Sequence, residues 1–335
     1  MTTTCSVEHA TSLATRALEN SGVSPANAKA VTNALIAAEI DGIPSHGLSR
    51  VAYYAAQAAS GKVDGQAVAS LTSKGSVINV DAGTGFAFAA IQKGLGPLVE
   101  QARASGLAAL SVGNSHHFGV AGHHVEAIAD HGLVGLGFGN SPAAIAPWGG
   151  NRPLFGTDPI AFASPRANGP SLVVDLSVSK IARGKIMMAH NRGEAIPDDW
   201  ALDAEGQPTR DAGEAMKGSL RPIGDAKGSS LALMVELLTA GLSHSAFGYE
   251  ASSLFSPEGD PPRLGQLFLA IDPAFFGAGS AFVERAEALI GKMGEQQGVR
   301  LPGQRRHLCR QRYRGNVELD ESVYESLTRL ASDHG

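Results

Sequence analysis

Near residue 66 the apolar periodicity of this chain changes, and that change limits what it can fold into. Before it, residues 6–20 and 25–40 space their apolar side chains as helices do. Val31, Ala34, Leu35 and Ala38 form one stripe; Ser24 caps the second helix, Pro25 suits its first position and Asp41-Gly42 ends it. A third helix is expected from Ser45 through "VAYYAAQAAS" to Gly61. Beyond residue 66 come short apolar runs bounded by glycine: "SVINV", "LAALSV", "LVGLGF", "IAFASP", "LVVDLS" and "LFLAID". Their spacing is irregular, and the Gly/Pro-rich connection at 139–159 is too long for regular βαβ alternation, which points to an α/β body with a mixed sheet. Residues 191–228 read as a long polar excursion of the kind that covers a site, and 280–298 and 319–334 read as helices.

Composition narrows the function. A length of 335 residues exceeds one core and suggests two joined domains, 1–65 with 308–335 packing nearby, and 66–307. With 43% hydrophobic and 18% charged residues the chain is expected to be soluble and globular. A formal charge of −5 offers no positive field for nucleic acid or an anionic membrane. Cys5 and Cys309, far apart in the chain, make neither a disulfide framework nor a zinc knuckle, which fits a reducing, cytoplasmic compartment. "MTTTCSVEHATSL" lacks the basic and apolar regions of a secretory signal, and no apolar run is long enough for a bilayer.

Several motifs bear on chemistry. "GNSHHFGVAGHHVE" holds four of the eleven histidines within nine residues. A zinc-protease helix needs two histidines four apart beside a glutamate, whereas these are spaced six to eight apart across Gly119 and Gly122. A loop leading into a helix from about Val120, whose free N–H groups suit an anion, competes with histidines simply lying on a surface turn. "VINVDAGTGFAFAAIQKGL" has Phe88 at the third fingerprint position, and the next apolar run ends without an acidic residue, so a Rossmann site is rejected. Lys227 and Gly228 precede Ser229 and Ser230, which reads either as an anion cradle or as a capped core helix with a solvated lysine. Arg183, Arg305 and Arg306 either pair with a 2′-phosphate or mark a wet surface. In "SHGLSR" a helix from Ser45 puts His46 and Arg50 on one face, a proton donor beside a carboxylate clamp, unless both face water. Thr157 and Asp158 sit on a Gly-Thr-Asp-Pro turn where the hydroxyl either meets that carboxylate or serves only the turn.

In this order the stretches "SHGLSR", "GNSHHFG", "GNSPAAIAPWGG", "PLFGTDPIAFASPR", "VVDLSVSKIARGKI", "PDDWALDAEGQPTRD", "GSLRPIGDAKGSSLALMVELL" and "RLPGQRRH" resemble the malate/L-lactate dehydrogenase family, nearly end to end. The resemblance implies a mixed, largely antiparallel sheet with a non-Rossmann nicotinamide-binding domain, a helical N-/C-terminal domain and a homodimer with its sites near the subunit interface. It implies His46 as proton donor, Ser45 as its relay partner, and Arg50 and Thr157 as substrate-carboxylate contacts. NAD(P) contacts are implied at His117, Phe118, Gly119, Val120, Ala121, Asp175, Leu176, Ser177, Arg183, Gly184, Lys227 and Gly228, and at Leu301, Pro302, Gly303, Gln304, Arg305, Arg306 and His307. No metal is expected. Within the family, "KGSSLALMVELL" and "PPRLGQLFLAIDP" look most similar to the reductases of Δ1-pyrroline-2-carboxylate and Δ1-piperideine-2-carboxylate, which use NADPH. Reduction of a cyclic imino acid with NADPH, or NADH in its place, is therefore the expected activity. The alternative is a 2-hydroxy acid dehydrogenase acting through a 2-oxo acid, because Lys185 stands where some ketimine reductases carry an acidic relay residue.

Overall fold

The computed structural model describes residues 2–277, 279–312 and 315–332. Its strands are β1 (Thr2–Ser6), β2 (Ser70–Lys74), β3 (Val77–Asp81), β4 (Leu107–Ser115), β5 (Val134–Gly139), β6 (Ile160–Ser164), β7 (Leu172–Leu176), β8 (Ala201–Leu202), β9 (Ser219–Leu220), β10 (Leu264–Ile271) and β11 (Asn316–Asp320). The α-helices are α1 (Val7–Asn20), α2 (Pro25–Ile40), α3 (Val51–Ala59), α4 (Ala87–Ser105), α5 (Ala121–Ala129), α6 (Arg183–Arg192), α7 (Ala212–Lys217), α8 (Ala226–Glu236), α9 (Phe282–Gly294), α10 (Gln304–Arg312) and α11 (Glu321–Ser332). None of the described helices is long and apolar enough to cross a membrane.

Serine caps start the first two helices: Ser6 Oγ accepts the His9 N–H at 3.0 Å, and Ser24 Oγ accepts that of Asn27 with Pro25 behind it. Leu13, Leu18, Val31 and Leu35 then pack with Tyr54 of α3 and Leu327 of α11 into one core. The N-terminal part is mostly helical but opens on a strand. β1 pairs antiparallel with β11, from Thr2 opposite Asp320 to Ser6 opposite Asn316, so the first and last described strands lie together.

All six apolar runs become strands of one seven-stranded sheet, in the order β2-β3-β4-β10-β5-β6-β7. Only β3 and β4 run parallel, joined by α4; every other neighbouring pair is antiparallel. This is the mixed, largely antiparallel sheet of the sequence reading. Its main core, around Leu110, Val125, Ile128 and Phe268, lies between the sheet and α4 and α5.

Three local expectations are corrected. The third helix begins at Val51; Pro44–His46 and Leu48–Arg50 are separate 3-10 turns, broken at Gly47 with φ −99° and ψ −144°. Residues 191–228 are not an open loop, because α7, β8 and β9 fold within them, Asp211 caps α7 through the N–H groups of Gly213 and Glu214, and Ile196, Ala201, Ala215 and Leu220 bury a small core of their own. α8 starts at Ala226, so Lys227 and Gly228 lie in its first turn; Ser229 Oγ accepts the Trp148 N–H and Ser230 Oγ donates to Ala226 O, and neither caps it.

Candidate active site

Two turns and a strand end converge on a small group of polar side chains. Glu39, near the end of α2, is buried and accepts the Leu48 N–H at 2.6 Å, and its Oε1 lies 2.2 Å from where a Cβ on residue 47 would stand. Glycine at 47 is thus enforced by the carboxyl, and the break it makes delays α3. Burial pushes Glu39 up to about 7, opposed by the Leu48 hydrogen bond. On these turns His46 Nδ1 lies 3.0 Å from Ser45 Oγ, while Arg50 Nε donates to Ser45 O at 2.7 Å. His46 and Arg50 therefore adjoin, as expected, although no continuous helix puts them there. Among the described residues Arg50 Nη1 and Nη2 take no protein acceptor, and the guanidinium lies 4.7 Å from the centre of the Phe255 ring.

The histidine run continues from the end of β4 and faces this group. His117 lies beside His46, ring centres 5.4 Å apart and planes tilted by 32°, and Tyr54 Oη lies 2.5 Å from His117 Nδ1. Burial holds the Tyr54 phenol above its ordinary range, so it keeps its proton in its hydrogen bond with His117. The four histidines diverge: His116 Nε2 meets Gln57 Oε1 at 2.9 Å, His123 Nε2 meets Asp41 at 2.8 Å, and His124 Nε2 donates to Phe118 O at 2.7 Å. No set of three or more metal-ligating side chains converges among the described residues. Burial lowers His46 to about 4, with Arg50 and His123 adding to it, and lowers His117 well below its ordinary value, with Arg50 and His46 adding to it. Both imidazoles are neutral near pH 7. Every charged neighbour acting on them is basic.

The residues expected to hold a cofactor gather along β7 in two groups. In the first, α5 starts at Ala121 after Gly119 at φ +72°, with no side chain of its own capping it. The Gly122 N–H is instead accepted by Asp175 Oδ2 at 2.9 Å, and Arg306 Nη2 donates to the same oxygen at 3.1 Å. The helix start predicted to be free for an anion is thus partly taken by a carboxylate of the chain itself. Arg306 is not the free phosphate ligand of the sequence reading either, because it is 8% exposed and also pairs with Asp41 at 3.3 Å. Gly303, at φ +81°, packs on Val173, Gln304 Oε1 accepts the Leu301 N–H, Arg305 donates to Gly42 O and His307 Nε2 lies 3.2 Å from Ser171 O. Only 301–303 form the turn; α10 begins at Gln304.

The second group lies beyond the exit of β7. Leu176 is 39% exposed, Ser177 Oγ meets Ser179 Oγ at 2.9 Å, and the Ile223 N–H donates to Val178 O, tying this segment to the turn before Lys227. Arg183 starts α6 and donates to Met216 O, Gly184 opens on free space, and Gly228 fits against Ile223 O, where a Cβ would stand at 2.0 Å. A dinucleotide fits this set on two grounds. Arg306 Nη1 is buried without a hydrogen-bond partner, with Glu126 Oε2 3.9 Å away, and a Cβ on Gly122 would stand 2.5 Å from it, so bare backbone at the helix start faces a donor that is only loosely paired. Asp175 and Ser177 can meet ribose hydroxyls, and Arg183 and Lys227 can meet phosphates. Phe118, Val120 and Ala121, expected as cofactor contacts, are buried at the entry to α5.

Thr157 stands apart from the histidines: its N–H is accepted by Ser141 Oγ at 2.9 Å, and its hydroxyl lies 3.3 Å from the same atom. Behind it, Asp158 is fully buried at φ +39° with neither carboxyl oxygen hydrogen-bonded, and burial, then Glu236, holds it well above its ordinary range. Glu236 accepts from Asn140 Nδ2 and the Gly248 N–H. Tyr54, Gln57 and Phe255 were missed from the sequence; only Tyr54, one helical turn after Arg50, carried a spacing signal.

A mixed sheet without the Rossmann crossover, an imidazole beside an open guanidinium, and a glycine-lined cationic cradle along one strand define a nicotinamide-dependent oxidoreductase. The chain belongs to the malate/L-lactate dehydrogenase family, which it matches over residues 5–328. It is 55% identical over 326 residues to a (2R)-3-sulfolactate dehydrogenase (NADP(+)) of Chromohalobacter salexigens, covering 97% of each chain. It is 40% identical over 332 residues to Δ1-pyrroline-2-carboxylate reductase 1 of Burkholderia ambifaria, covering 97% of this chain and 96% of the relative. Among solved structures, Δ1-piperideine-2-carboxylate reductase of Pseudomonas syringae pv. tomato superposes with a TM-score of 0.92 at 38% identity, covering 98% and 99% of the two chains.

Proposed function

We propose that this protein is an NADP-dependent 2-hydroxy acid dehydrogenase that interconverts (2R)-3-sulfolactate and the corresponding 2-oxo acid. The charge around His46 carries this reading. Arg50 and the neighbouring histidines are all basic, and the carboxyls of the region are engaged elsewhere: Glu39 on Leu48, Asp41 on His123 and Arg310. A substrate with two acid groups answers that charge and raises the His46 pKa toward neutrality. A cyclic imino acid, protonated at its ring nitrogen, adds a cation where no carboxylate receives it. The 55% identical relative supports the same substrate.

In this reading Arg50 Nη1 and Nη2 take the substrate carboxylate in a planar fork. Bound NADP supplies the hydride acceptor for C2. His46 Nε2 accepts the proton from the C2 hydroxyl while Nδ1–H donates to Ser45 Oγ; in reduction the same nitrogen returns a proton to the developing alkoxide. His117, held by Tyr54, walls the imidazole so that it keeps one orientation. Thr157 serves the substrate's far end, and the relay consists of Ser45 and His46, with Lys185 where some ketimine reductases carry an acidic residue.

Cyclic ketimine reduction is the second reading, favoured by the 40% identical reductase and by the superposition. The deciding measurement follows NADPH absorbance with purified protein. (2R)-3-Sulfolactate, malate and lactate are offered with NADP+, and Δ1-pyrroline-2-carboxylate with NADPH. The highest kcat/KM is expected for sulfolactate; a higher value for the imino acid would reverse the order of the two readings.

A further inference from the structure

Residues 253–258 form an irregular turn whose carbonyls are taken almost without gap by side chains of one short stretch. Lys62 Nζ donates to Ser253 O, Ser256 O and Glu258 O at 2.6, 2.9 and 2.7 Å. Gln57 Nε2 donates to Leu254 O at 2.8 Å, and Ser60 Oγ to Pro257 O at 2.8 Å. Lys62 is 3% exposed and Gln57 is fully buried. An ammonium has three donors and no acceptor, and burying one is costly unless each donor is answered. Lys62 and the turn therefore fix each other.

The carbonyl left out belongs to Phe255, and its side chain is where the turn reaches the site. Phe255 is 54% exposed, meets Tyr53 edge-on at 5.5 Å, and lies 4.7 Å under the Arg50 guanidinium. Ser45 O holds Arg50 from the other side through Nε. A planar cation held at one edge and along one face has a single direction left for its Nη pair. Gln57 adds a second link, because its Oε1 receives His116 Nε2–H, one residue from His117.

We propose that the 253–258 turn aims the substrate clamp: Phe255 is a positioning residue for Arg50, and Lys62 acts on substrate binding through Phe255. The proposal rests on the reading that Arg50 binds the substrate carboxylate. It does not depend on which acid the enzyme prefers, since the 2-oxo acid and the imino acid both carry that group.

The test compares Phe255→Leu, Lys62→Met, the double variant and Arg50→Ala in the full-length enzyme, on whichever substrate the wild type turns over best. Phe255→Leu is expected to raise the substrate KM about 3- to 30-fold, the range of one cation–π contact, with kcat and the NADPH KM unchanged. Lys62→Met is expected to raise the same KM, and the double variant to be no worse than the larger single effect. An unchanged substrate KM in Phe255→Leu, fully additive effects, or an equal rise in the NADPH KM would overturn the proposal. Phe255 is exposed, so its replacement leaves the core intact and decides the matter even where Lys62→Met lowers stability. Should Arg50→Ala leave the substrate KM unchanged, the clamp itself is wrong; should it raise KM while Phe255→Leu does not, only the aiming role falls.

Discussion

The role proposed for His46 depends on its staying neutral. Its imidazole is pushed down to about 4 by burial and by Arg50, so at pH 7 it is a free base beside a cation that draws acids in. Oxidation of a hydroxy acid needs that base at once, whereas reduction needs the proton that an incoming dianion helps to restore. His46→Ala is expected to lower kcat by about 10²–10⁴-fold, the usual contribution of a positioned acid–base group. NADPH binding, followed by fluorescence titration, should stay as in the wild type. Loss of cofactor affinity in step with kcat would mean that the side chain supports the fold of the loop and not the proton transfer. Tyr54 bears on the same point: its phenol hydrogen bond fixes the His117 ring, and so the wall against which His46 rests.

Four elements, α2, α5, α10 and β7, meet in a buried ion network that ties the helical part to the main sheet. Asp41, closing α2, has a side chain only 1% exposed and serves His123 of α5 and both Arg306 and Arg310 of α10. Glu126 takes Arg310 as well, and Arg306 reaches on to Asp175 of β7. Removing one partner of a buried pair strands the others, at a cost of about 3–5 kcal/mol. Asp41→Ala should therefore lose roughly that much stability in urea unfolding, and a loss under about 1 kcal/mol, the worth of a surface pair, would show that the network is solvated. The sequence made α1, α2, the six apolar strands and the His46–Arg50 pair legible because each is a local pattern. It could not reveal this network, whose members lie at 41, 123, 126, 175, 306 and 310, nor β1 and β11, whose short polar runs read as strands only once paired with each other. The break at Gly47 was hidden for the same reason, since its cause, Glu39, sits eight residues back on another helix.

At the scale of the whole molecule, buried titratable groups set opposing pH limits. His46 and His124 are lowered to about 4, His116 to about 3, and His117 well below 6.5. The unfolded chain protonates these imidazoles near 6.5 and the folded one only near or below 4, so it binds more protons in between, and stability falls as pH drops through that window. Glu39, raised to about 7, and Asp158 and Glu236, also raised, behave in the opposite way. They keep protons in the fold that the unfolded chain has released above about 4.5, so stability falls as pH rises through their folded values. Below pH 6.5 the imidazoles and the raised carboxyls, Asp130 among them, pull in opposite senses; above it the imidazoles are neutral in both states and the carboxyls alone set the slope. Thermal midpoints are therefore expected to decline as pH rises from 6.5 through the folded values of Glu39 and Glu236 near 7. Glu39→Gln keeps an oxygen for the Leu48 N–H but has no proton to lose, so it should flatten the alkaline decline. A midpoint that climbs steadily to pH 9, or an alkaline slope identical in that variant, would mean that Glu39 is ionised in the fold and that its grip on Gly47 is that of an ordinary carboxylate.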